Sequence, residues 1–192
     1  MDRLESVTIA KVDEHMTPIK GTEEVIPCDS LILSVGLIPE NELAKKLSVP
    51  LSMRTKGPEC DQSFETLVSG VYTCGNAMHV NDLADFVSES GEIAGTNAAS
   101  QDNLPPQYEK VEMDKHFGYV VPTNVNFAKP TTKMTFYFRV RDIYRNVILK
   151  VKQGDKIILT RPYSILKPPE MQKLLITLVN KAPLTFTLEE KI

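Results

Sequence analysis

The alternation of apolar and polar positions changes character along the chain. Ser6–Val12 alternates with Val7, Ile9 and Lys11 on one face, which predicts a strand. Thr17-Pro18-Ile19-Lys20-Gly21 then reads as a turn, and Glu24–Pro27 as the returning strand. Ser30–Val35 is a near-continuous apolar run stopped by Gly36, the pattern of a strand covered on both faces in an α/β domain. Pro39 and Asn41 open a short helix over Glu40–Leu47, with Leu43 and Leu47 on one side. Gly70–Cys74 predicts a further strand, ending at Gly75-Asn76. From Asn81 to Ala99 the spacing of Val80, Leu83, Ala84, Val87, Ala94 and Ala98 predicts a long helix. Asn81 is placed to cap it, and Asp82 and Asp85 to favour the positive end of its dipole. Gly91, Gly95 and Ala99 recur every four residues, and a mid-helix glycine costs about 1 kcal/mol against alanine. The stripe therefore suggests close packing on a neighbouring backbone.

Asp102-Asn103-Leu104-Pro105-Pro106-Gln107 stops any helix and reads as a linker. Beyond it, Tyr119–Val121, Met134–Val140, Val147–Val151, Lys156–Thr160, Leu174–Val179 and Leu184–Leu188 read as short strands, with Gln153-Gly154-Asp155 as a hairpin turn. Pro168-Pro169-Glu170 interrupts them with a turn or short helix. This spacing suggests an antiparallel sandwich, for which an immunoglobulin-like arrangement is one form. The resulting fold class is an α/β segment followed by an all-β domain.

Charge sharpens that division. The net charge of −3 conceals a reversal: residues 1–102 carry 7 Lys+Arg against 17 Asp+Glu, and residues 103–192 carry 15 against 8. The two parts therefore face different surroundings. The basic part lacks the aromatic pattern of a nucleic-acid surface, so nucleic acid is not an expected partner. No apolar run approaches the ~20 residues of a membrane span, and the first residues do not form a signal peptide, so the cytoplasm is the expected compartment. Cys28, Cys60 and Cys74 form neither a C-x-x-C pair nor a zinc-spaced cluster. They read as reduced, mostly buried thiols, with no metal site and no redox dithiol.

Gly70-Val71-Tyr72-Thr73-Cys74-Gly75-Asn76 and the helix after it resemble the second flavin-binding motif of the pyridine nucleotide-disulfide oxidoreductase family, with Thr66 or a neighbour as its upstream threonine. Asn76 stands where the family usually has aspartate. Cys74–Leu83 is similar to a subset resembling glycerol-3-phosphate-dehydrogenase-associated oxidoreductases. Cys28–Asn41 resembles the segment that leads from the family's NAD(P) domain back to its FAD domain. The two matches span roughly residues 3–100 in the family's order.

The resemblance implies three parts: residues 1–57 as the end of a nicotinamide-dinucleotide domain, 58–102 as the last strand and helix of an FAD domain, and 108–192 as the sandwich. It implies FAD and NAD(P)H as the parent protein's cofactors, with a hydride passed from NAD(P)H to FAD and on to an acceptor that the sequence does not name. Gly75, Asn76 and Ala77, with the backbone of Leu83 and Ala84, would face the flavin; Asn76 would offer its side-chain oxygen to the ribityl hydroxyls.

No G-x-G-x-x-G occurs in the chain, and in the family both such loops precede the matched region. The chain is therefore expected to be the C-terminal portion of an enzyme, to lack the N-terminal dinucleotide-binding segments, and to be incompetent alone. Exposed apolar faces would then favour self-association. The alternatives are a non-catalytic module that docks a partner, and a small subunit that completes a flavin site on another chain. An acidic electron-acceptor protein is a candidate partner for the basic part. No residue is assigned to catalysis; His79 is a proton-relay candidate weighed against an ordinary loop histidine. Asp29 reads as structural, and Arg139 and Arg141 read as the solvent face of a strand.

Overall fold

The computed structural model describes residues 3–34, 36–100, 104–129 and 133–191. Val35, Asp102 and Asn103, which belong to the apolar run and the linker above, lie outside them. Two compact units emerge, Met1–Leu37 and Ile38–Ile192.

The first unit is a hairpin of β1 (Ser6–Ile9) and β2 (Glu24–Pro27), paired antiparallel with Val7 opposite Ile26. The first predicted strand thus ends three residues early. Lys11 leaves the ladder, and its backbone N–H bonds to Thr22 Oγ1 at 3.0 Å. Residues 30–34 are not the buried strand that their composition suggests. Leu31, Ile32 and Leu33 are 54, 91 and 70% exposed, and none of the described residues pairs with this run. A strand apolar on both faces forms only with sheet neighbours and covering helices, and the described residues supply neither to this run.

In the second unit, α1 (Glu42–Lys46) is followed by irregular chain, α2 (Gly75–Met78) and α3 (Ala84–Ala99). Gly70–Cys74 does not become a strand. Tyr72 makes one bridge to Glu65, and the Thr66 N–H donates to Val71 O at 2.8 Å. The helix α3 starts three residues later than predicted, after Leu83. Among the described residues its glycine stripe has no close neighbour: a Cβ at Gly91 or Gly95 would meet no atom within 4 Å outside the helix's own backbone.

The β-rich part contains β3 (Tyr108–Lys110), β4 (Glu112–Met113), β5 (Phe117–Val121), β6 (Asn124–Asn126), β7 (Lys133–Val140), β8 (Tyr144–Gln153), β9 (Lys156–Leu166), β10 (Gln172–Thr177) and β11 (Leu184–Glu190). One sheet has the order β10-β7-β5 and another β4-β11-β8-β9; β3 and β6 pair separately. Most of the expected strands are present, and the β8–β9 hairpin turns at Gly154 with φ +58°. The two larger sheets share one core, in which Phe136 and Phe186 lie 5.2 Å apart between ring centroids. Each such buried aromatic stabilises the fold by roughly 1.5–3 kcal/mol.

Strand β7 is covered on both faces. Met134, Phe136, Phe138 and Val140 enter the two-sheet core, while Tyr137 joins a second cluster with Cys60, Phe64, Met78, Ala94, Val121 and Met171. The segments before and after the proline linker thus share a core.

Candidate functional site

The residues from Gly75 to Ala84 form a tight turn whose shape comes from its neighbours. Gly75 is buried at φ +57°, a conformation that a Cβ disfavours. Its N–H donates to Ser90 Oγ at 2.7 Å, which anchors the turn to α3. Gly57 passes so close beneath α2 that a Cβ there would lie 1.8 Å from the Met78 carbonyl oxygen. Asn41 is buried, and its Nδ2 donates to the Ala77 carbonyl at 2.8 Å and to that of Lys56 at 3.2 Å. Asn41 therefore does more than open a helix: it ties α1 to the turn. On that side an open cavity of about 460 Å³ is walled by Leu43, Leu47, Tyr72, Cys74 and Ala77. Cys74 is exposed and Cys28 partly so; only Cys60 fits the expectation of buried thiols. Burial, with the charge of Asp61 beside it, pushes the Cys60 thiol well above its ordinary range.

Asn76 is exposed, and its Oδ1 accepts the backbone N–H of Asn81 at 3.0 Å and Asn81 Nδ2 at 3.4 Å. The amide NH₂ is the edge left toward solvent. Asn81 does not cap α3; its Nδ2 also donates to the His79 carbonyl at 2.9 Å. No side chain caps α3, and Leu83 and Ala84 at its start are exposed. The Phe86 and Val87 N–H groups bond to the Leu83 carbonyl at 3.2 and 3.4 Å, whereas those of Ala84 and Asp85 precede any intrahelical acceptor.

The second half of the turn belongs to a polar network whose other members lie far away in the sequence. His79 is fully buried between Tyr119 and Tyr137, at ring-centroid distances of 5.6 and 5.2 Å. Tyr119 Oη accepts Arg139 Nε at 3.0 Å and stands 3.3 Å from His79 Nδ1. Burial raises the pKa of the Tyr119 hydroxyl in spite of Arg139; the other imidazole nitrogen of His79 is Nε2. That nitrogen has no hydrogen-bond partner among the described residues. Burial, reinforced by the Arg139 charge, lowers the His79 pKa to about 4. His79 is thus a neutral core histidine rather than an ordinary loop residue.

Arg139 is a correction as well. It projects from the second covered face of β7 and is not a solvent-facing residue. Its guanidinium donates to Tyr119, to the Val80 carbonyl at 3.2 Å, to the Pro169 carbonyl and to Asp82 Oδ1. Asp82 Oδ2 in turn accepts the Met171 N–H at 2.6 Å. Asp82 lies before α3 and acts as a cross-link, not as a dipole residue of the first turn; Asp85 does occupy that turn. Arg141 is exposed, as expected. Asp29, in the first unit, pairs with Arg3 at 2.8 Å.

A second polar group supports the loop carrying Thr66. Lys129 Nζ lies 2.7 Å from both Asp61 Oδ2 and Glu65 Oε2, but its geometry forms a hydrogen bond only with Glu65. Burial raises the Asp61 carboxyl above its ordinary value in spite of Lys129. Burial also acts upward on Glu65, but the bonds from Lys129 and the Gly70 N–H outweigh it and hold that carboxyl low.

A glycine turn without a Cβ, an exposed amide and an uncapped helix start thus lie together at residues 75–84. No pyrophosphate-binding glycine loop accompanies them. A model of the pyridine nucleotide-disulphide oxidoreductase family matches residues 3–102. Comparison with curated proteins and with solved structures gives no match. Among the described residues, no helix is long and apolar enough to cross a membrane.

Proposed function

The chain belongs to the pyridine nucleotide-disulphide oxidoreductase family, and from that premise we propose that it supplies the flavin-closing end of an FAD- and NAD(P)H-dependent oxidoreductase. The observation that carries this reading is the conjunction at residues 75–84: left-handed Gly75, exposed Asn76 and the uncapped start of α3. When bound, FAD would take reducing equivalents from NAD(P)H and hand them to an acceptor. Gly75 and Ala77 would let backbone approach the cofactor. Asn76 would present its amide NH₂ to ribityl oxygens while its carbonyl holds Asn81. The N–H groups at the start of α3, around Leu83 and Ala84, would place positive potential beside the flavin's pyrimidine edge, where negative charge gathers on reduction.

Within the family, the Cys74–Leu83 sequence supports the subset resembling glycerol-3-phosphate-dehydrogenase-associated enzymes. We read residues 1–57, 58–102 and 108–192 as the ends of the two dinucleotide domains and an appended sandwich of immunoglobulin-like type. The sequence contains no G-x-G-x-x-G, and in this reading both pyrophosphate sites would come from elsewhere, on the same polypeptide or another subunit. Each unit by itself leaves apolar residues exposed, Leu31, Ile32 and Leu33 in the first and Leu43 and Leu47 in the second, which supports the reading as a small subunit. The test is FAD retention through gel filtration. The chain alone should elute without flavin, and the same chain assembled with a G-x-G-x-x-G-bearing partner should elute yellow.

A further inference from the structure

We propose that the two-sheet region is a positioning element for the flavin-facing turn, and that Arg139 is its positioning residue, acting through Asp82. This deepens the flavin reading and rests on it.

Three observations carry the proposal. First, the guanidinium of Arg139 reaches four groups from three separate stretches of chain: Val80 and Asp82 before α3, Tyr119 on β5 and Pro169 before β10. A planar guanidinium holds such a set of directions, whereas a lysine ammonium cannot. Second, Asp82 uses both carboxylate oxygens, one on Arg139 and one on the Met171 N–H at 2.6 Å. The lead-in to α3 is therefore fixed from two points of the β-rich region. Third, α3 has no cap of its own. A helix start without a side-chain cap frays unless tertiary contacts fix it, and Arg139 with Asp82 supplies those contacts. The direction in which the first N–H groups of α3 point is therefore set by a residue on β7, outside the residues matched to the family.

The test compares Arg139→Met and Arg139→Lys with Glu89→Gln in the full chain. Glu89 also joins the two regions, accepting Tyr137 Oη at 3.0 Å and Lys173 Nζ at 2.5 Å, but it lies beyond the first turn of α3. Amide hydrogen exchange is read at residues 79–87, at 90–99 and in the two sheets. Arg139→Met should speed exchange at 79–87 by about tenfold or more, with the sheets changing by less than about twofold. Arg139→Lys should restore only part of the protection, and Glu89→Gln should leave residues 79–87 unchanged. Uniform acceleration across the chain, or full rescue by lysine, would overturn the proposal. A parallel titration follows quenching of FAD fluorescence in the assembled flavoprotein, where Arg139→Met should weaken binding and Glu89→Gln should not. Absence of quenching with the unmodified protein would defeat the flavin reading and leave the exchange result standing.

Discussion

Arg139 and Asp82 are 57 residues apart in sequence and are joined side chain to side chain, one on a strand of the β-rich region and the other on the approach to a helix. This pairing places the two parts of the chain on either side of the proline linker in one cooperative unit. A single unfolding transition is therefore expected for residues 38–191, and calorimetry should show no separate melting of the two sheets.

Gly57 and Gly75 should respond differently to alanine. At Gly57 the added Cβ would fall 1.8 Å from backbone, and the Met78 carbonyl cannot rotate away. Gly57→Ala should cost more than about 3 kcal/mol and displace the turn. At Gly75 the nearest atom is the Val87 Cγ1 side-chain methyl at 3.1 Å, and the backbone is left-handed. Gly75→Ala should cost about 1–2 kcal/mol. Denaturant midpoints of the two variants check this ranking.

His79 gives stability a pH dependence with a definite sign. Its pKa falls from 6.5 to about 4 on folding, so the unfolded chain binds the proton more readily between those values. The contribution is fully present above about pH 6.5 and is lost as pH falls toward 4. By linkage it amounts to about 3 kcal/mol at most. Unfolding free energies measured from pH 7 to 4 should decline less steeply for His79→Gln than for the unmodified chain.

Lys129 neutralises two carboxylates at once. Lys129→Met would leave Asp61 and Glu65 unpaired next to one another, at a cost of about 3–5 kcal/mol near neutral pH. Protonation of those carboxylates relieves the repulsion, so the difference from the unmodified chain should shrink as pH falls. Paired unfolding curves at neutral and acidic pH test both the size and the direction.

Asn76→Asp keeps an acceptor for the Asn81 N–H and adds negative charge. In the flavin-bearing protein it should retain FAD and shift the flavin midpoint potential downward, because the reduced anion is disfavoured by the charge. Spectroelectrochemical titration of the two forms measures the shift, and an unchanged potential would place this side chain away from the flavin.

Much of this arrangement could be read from local sequence, where a segment's own neighbours decide its structure. β2, the Gly154 hairpin and the alternating strands of the two-sheet core follow from period and turn residues that act over a few positions. The errors arose where distant chain decides the outcome. Ile32 looks buried by composition, but nothing in the described structure covers it. Arg139 alternates as a surface residue would, yet α3 and its approach cover that face of β7. Asp82 resembles a first-turn acid, yet α3 begins only at Ala84. Gly75 and Asn76 stand out in the sequence because they belong to a motif, and their place at a flavin is the proposal above; Gly57 and Asn41 do not stand out, because their partners at Met78 and Ala77 lie across the fold.

The central claim, that this chain closes a flavin site, is tested most directly by purifying it from its native cells under mild conditions and measuring flavin absorbance and FAD content across the peak that contains it. FAD co-purifying in stoichiometric amount with this chain, in one polypeptide or in a complex with a dinucleotide-binding subunit, is the predicted result. A homogeneous native protein containing this chain but no flavin, and taking up none when FAD is supplied, would contradict it.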